Sequence, residues 1–132
     1  MGGIPNSDPV VDEAALLNRV GGDVGFLCEL IELFLAACPT LLSQMRQSLA
    51  INDFVKMRRA ARPLRSLLRD FAFERAQNAV EVLDRAACQR QPAAVAEAFR
   101  ALEEQIESLT STLSELSDLL ALRDPRETGW LD

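Results

Sequence analysis

The chain has 132 residues, of which 48% are hydrophobic and 26% charged, with a net charge of −6 and no histidine at all. That length holds one domain, and the acidic balance argues against nucleic acid or an anionic membrane surface as partner. The absent histidine, together with three cysteines (Cys28, Cys38, Cys88) that form no CxxC pair, leaves a zinc site without ligands, so no metal or other cofactor is expected.

Residues 1–9 contain two Gly and two Pro and read as a flexible lead-in. They carry neither the basic nor the apolar segment of a signal peptide. Asn6 stands where a myristoylation signal needs Ser or Thr. Val10 to Val20 forms a short helix stopped by Gly21-Gly22. Asp23 is the expected N-cap of a long second helix, with Phe26/Leu27, Leu30, Phe34, Ala37, Leu41, Met45 and Leu49 turned inward at spacings of three and four. Pro39 should kink this helix without splitting it. No apolar run is read as reaching a membrane span.

Asn52-Asp53 caps a third helix whose inward set is Met57, Ala61, Leu64, Leu68 and Phe71. A fourth carries Phe73, Ala76, Val80, Leu83 and Ala87. Gln91-Pro92 ends it and opens a fifth. There Val95, Phe99, Leu102, Ile106, Leu109, Leu113, Leu116 and Leu120 alternate spacings of four and three, a heptad seam. Asp124-Pro125 stops it, and Trp130 lies in a polar tail expected to be disordered. The expected fold is all-α: an antiparallel up-down-up-down four-helix bundle with a short additional N-terminal helix. The expected division is a lead-in over 1–9, the bundle over 10–122 and a tail over 123–132. Leu113, Leu116 and Leu120 have two readings. Either they run past the bundle as a homodimer seam or partner-helix site, or a longer bundle covers them.

The stretch AARPLRSLLRDFAFERA, Ala60 to Ala76, resembles the signature of the histidine phosphotransfer (HPt) domain, roughly A-H-x-L-K-G-S. VDEAALLNRVGGDVGFLCELIELFLAACPTLL, Val11 to Leu42, is similar to the family's first two helices, and INDFVKMRRAA, Ile51 to Ala61, to the approach to its active helix. The resemblance covers roughly residues 11–110 and implies the same bundle. In the family the histidine carries a phosphoryl group between receiver-domain aspartates, a lysine three residues on helps to bind it, and a glycine after that leaves room for the receiver. Here those positions hold Arg62, Arg65 and Ser66, with Pro63 between. A guanidinium stays protonated at physiological pH and cannot accept a phosphoryl group. The resemblance therefore implies a degenerate member, a pseudo-HPt module of two-component signalling that is not an enzyme. It would be cytoplasmic and would bind a response-regulator receiver domain or a hybrid histidine kinase by sequestration, competition or scaffolding. The other function reading is a structural or oligomerisation bundle.

Arg58, Arg62, Arg65 and Arg69 follow at spacings of 4, 3 and 4, which places them within roughly a 60° arc of the third helix. Like charges so spaced repel, so compensation is expected. One reading is a ridge docking into a receiver's carboxylate pocket, with Arg62 at the phosphohistidine position and Arg58, Arg65, Ser66 and Arg69 around it. The other is a solvated face paired with neighbouring acids, which suits Arg58 and Arg69 better than Arg62 and Arg65. Pro63 predicts a kink or widened turn at 59–63. The cysteines read as structural, with Cys38 and Cys88 beside apolar stripes and Arg85 near Cys88. Asp70 has no acidic metal cluster evident around it, so it is not a substitute phosphoacceptor.

Overall fold

The structure is a computed structural model and describes residues 11–123. The described residues fold into five helices: α1 (Glu13–Arg19), α2 (Val24–Ala50), α3 (Phe54–Asp70), α4 (Glu74–Cys88) and α5 (Pro92–Ala121). The lead-in and the Trp130 tail, for which flexibility was expected, lie outside the described residues.

Four of the five helices start where the sequence supplies an acceptor or a fixed φ, and α4 starts at Phe73 without a side-chain cap. Asp12, Asp23 and Asp53 cap α1, α2 and α3, their carboxylates accepting from Ala15, Phe26 and Lys56 N–H at 3.0–3.1 Å. Pro92 opens α5, where its missing N–H would have had no partner. The helix ends share one device. Asn52, Ala72 and Arg90 sit at φ 53°, 59° and 55°, and Gly21 at 67°. Around each, two backbone bonds close a Schellman turn: at Ala72, its own N–H donates to Arg69 O (3.0 Å) and Phe73 N–H to Leu68 O (3.0 Å). After the last three of these turns the next residue is already the N-cap of the following helix. Links this short make successive helices antiparallel neighbours. α2 packs on α3, α3 on α4, α4 on α5 and α5 back on α2, an up-down-up-down bundle, with α1 against α2.

The inward sets expected for α3, α4 and α5 are all buried. Leu113, Leu116 and Leu120 are among them, at 0%, 8% and 0% exposure, so the reading of these residues as a free dimer seam is corrected. α2 is long enough to cover the distal half of α5, and Glu13 at the start of α1 pairs with Arg123 beyond its end. A Phe34–Phe71–Phe73 cluster lies where α3 turns into α4. Its centroids are 5.2 Å apart for Phe34–Phe71 (interplanar 69°), 6.0 Å for Phe34–Phe73 and 5.3 Å for the stacked Phe71–Phe73 pair. Such pairs add about 0.5–1.5 kcal/mol each beyond area burial.

α2 departs most from expectation. It buries Leu27, Ile31, Phe34, Cys38, Leu42 and Met45, while Phe26 is 45% exposed and Leu30, Ala37, Leu41 and Leu49 are only partly covered. It is apolar on more than one face, so spacing alone does not fix its phase. It is also long and apolar enough to cross a membrane by length and composition, against expectation, with a mean hydropathy of 1.8 over its most apolar window. In this fold it is one of the four bundle helices, packed between α3 and α5. α2 continues through Pro39 as one helix, not split in two, as expected. Cys38 is buried, and that burial pushes its thiol up to about 12. Cys28 is half-buried, and Cys88, expected beside an apolar stripe, is exposed at the end of α4.

Candidate functional site

α3 turns Met57, Ala60, Ala61, Leu64 and Leu68 to the core and leaves an outward arc rich in arginine. The structure divides that arc by partner. Arg58 Nε donates to Asp84 Oδ1 at 3.0 Å. Arg65 Nε lies 3.3 Å from Glu81 Oε2, an ion-pair contact without hydrogen-bond alignment, and its Nη2 lies 3.6 Å from Asp84 Oδ2. Asp84 on α4 thus serves both. The hydrogen bond from Arg58 to Asp84, then the Coulombic attraction of that carboxylate, holds the guanidinium above its already high pKa. This is the compensation that the arginine spacing required.

Arg62 and Arg69 are exposed and make no ion pair among the described residues, and the same holds for Arg59. Arg59 was missing from the ridge as read in sequence. Its signal was its position three residues before Arg62, one turn away on the outer face. At about 100° per residue, Arg65 and Arg58 fall on the α4 flank of α3, while Arg69, Arg62, Ser66 and Arg59 form the outer crest. Ser66 is exposed on that crest and also borders the α2 side.

On the α2 flank lies a shallow trough of about 550 Å³ lined by Ala37, Thr40, Leu41, Pro63, Ser66 and Leu67. Leu67 also lines a second recess of about 220 Å³ with Leu30, Leu33 and Phe71, so apolar surface follows the α2–α3 seam past the crest. Arg19 of α1 closes one end, its Nε donating to Asp70 O at 2.9 Å. Pro63 is exposed beside this trough, and α3 is continuous from Phe54 to Asp70, so of the kink or widened turn expected at 59–63 the widened turn does not form. Pro63 removes one internal hydrogen bond of the helix, the one its missing N–H would give.

The sequence-derived ridge is therefore split. Arg58 and Arg65 are tied to α4, whereas Arg62, Ser66 and Arg69 are free to meet a partner, joined by Arg59. Among the described residues no group of three or more Cys, Asp or Glu is placed to hold a metal ion. The crest is a set of hydrogen-bond donors, three guanidinium groups and the Ser66 hydroxyl, whose positive charge suits an acidic group. A family model described as Hpt domain matches residues 29–121. No curated protein and no solved structure shows significant similarity to the chain.

Proposed function

We propose, on the premise that this chain belongs to the Hpt domain family, that it is a pseudo-HPt interaction module that docks a response-regulator receiver domain or hybrid histidine kinase without transferring a phosphoryl group. Hpt domains are phosphotransfer modules of two-component signalling, and that system sets the setting. The observation that carries the reading is Arg62: it occupies the phosphoacceptor position of the resemblance, exposed and without an ion-pair partner among the described residues, in a chain without histidine. A protonated guanidinium is no nucleophile, yet it pairs bidentately with carboxylates. The trough between α2 and α3 supplies apolar surface beside it. The module acts in the cytoplasm by sequestration, by competition with an active HPt domain, or as a scaffold.

Two measurements test this reading. Incubation with a phosphorylated receiver should leave no label on the chain, and stable labelling would sink the non-transfer claim. Titration against receiver domains should show a complex that Arg62→Glu weakens; if Arg62→Glu leaves every such complex unchanged, the docking crest is wrong. The oligomerisation reading loses its seam, because Leu113, Leu116 and Leu120 are enclosed by the chain's own bundle.

A further inference from the structure

The free arginines point to what the docked receiver carries. We infer that Arg59, Arg62 and Ser66 form a phosphoryl-binding cradle, so that the module binds the phosphorylated receiver in preference to the unphosphorylated one. This rests on the receiver-docking reading and adds to it the state of the partner. The chain has 20 acidic against 14 basic residues, enough acid to neutralise every arginine. On α3 it neutralises only the α4 flank, through Asp84 and Glu81. The crest keeps Arg59 and Arg62 without an ion pair among the described residues, with the exposed Ser66 one turn beyond. Residues at these spacings are neighbours on a helix surface, roughly 5–6 Å apart at Cβ.

The donor chemistry suits a phosphoryl group. Each guanidinium offers five N–H donors in a fixed fork and no acceptor, and the Ser66 hydroxyl adds one O–H. A phosphoryl group brings roughly 1.5–2 negative charges and three acceptor oxygens, which charge-assisted bonds satisfy best. An unphosphorylated receiver pocket offers carboxylates that its divalent metal already balances in part, so the crest gains less there. The apolar trough contacts the receiver in either state, and the cradle adds dependence on phosphorylation. No bond is made or broken: the phosphoryl group stays on the receiver's aspartate, held between that carboxyl and the guanidinium.

The test is titration of the full chain with purified receiver domains, each with magnesium alone and with magnesium plus beryllium trifluoride as the phosphoryl mimic. About tenfold tighter binding of the mimic-bound form is expected, the scale of one exposed charge-assisted contact. Arg62→Gln should abolish that ratio, Arg62→Lys should recover only part of it, and Arg85→Gln, exposed on α4 outside the crest, should keep it. Circular dichroism checks that each variant is folded. Binding that is equal in the two states, or a ratio that survives Arg62→Gln, overturns the cradle and leaves receiver docking standing. No binding in either state overturns both.

Discussion

Replacing Ala72 by glycine should stabilise the protein. Ala72 holds φ 59° between α3 and α4, where its Cβ crowds the backbone. An L-residue in that region costs about 1–2 kcal/mol. Glycine removes the crowding but adds about 0.5–1 kcal/mol of unfolded-state entropy. The side chain is exposed, so no packing is lost with the methyl. The balance is a gain of about 0.5–1 kcal/mol, or about 2–5 °C in Tm for a domain of this size. Urea unfolding reads it as a higher midpoint with an unchanged slope. Ala101→Gly is the control: it is exposed inside α5 and should cost about 1 kcal/mol. If Ala72→Gly destabilises as Ala101→Gly does, the Schellman turn and its left-handed residue are wrong.

Asp84→Asn removes the negative charge shared by Arg58 and Arg65. A double-mutant cycle of Asp84→Asn with Arg65→Gln should give a coupling of a few tenths of a kcal/mol, and strict additivity would mean that the two groups do not interact. Burial pushes the Cys38 thiol up to about 12, from 9.0 in the unfolded chain. Above pH 9 the unfolded state releases a proton that the folded state retains. Stability contributed by the neutral thiol is therefore full below pH 9 and lost towards pH 12, by at most about 1.4 kcal/mol per pH unit. Cys38→Ala should flatten that part of the curve, and an identical alkaline slope in the variant would contradict the burial. At pH 8 a thiol reagent should label Cys88 at once and Cys38 only on unfolding. Leu113→Ala should cost about 2–5 kcal/mol without altering the mass in solution, as expected of a core residue and not a dimer seam. A change of oligomeric state with little loss of stability would restore the seam.

The bundle was legible because α3, α4 and α5 alternate cleanly. Arginines and acids flank Met57–Leu64–Leu68 and Val80–Leu83, so only one phase buries the apolar set. α2 hides its phase because Leu30, Leu33, Ala37 and Leu41 make a second apolar stripe beside Leu27–Ile31–Phe34–Cys38. Only packing against two neighbours shows which stripe is core and which borders the α3 trough. The left-handed residues Ala72 and Arg90 were also invisible, since neither is a glycine or asparagine. For the site, the arginine spacing was readable but its division was read half wrongly: Arg58 is paired as expected, whereas Arg65 is paired and Arg69 makes no ion pair among the described residues, both against expectation. Which arginines are satisfied depends on how α4 rotates Glu81 and Asp84 towards α3, a tertiary fact. The resemblance puts Arg62 at the phosphoacceptor position, and the fold leaves it without an ion pair among the described residues.

Three surfaces run side by side along α3: an apolar trough towards α2, a cationic crest, and a charge-balanced flank towards α4. Their order makes the face directional. A visitor rotated half a turn would lay its apolar strip on Glu81 and Asp84 and its anionic group on Leu41 and Leu67, an arrangement that desolvates charge without pairing it. Under the proposed docking, the helix sets the heading of an incoming domain as well as its place, through penalties against the reversed pose. Under the proposed docking of a receiver, a fixed heading decides which of the receiver's remaining faces stay open to others.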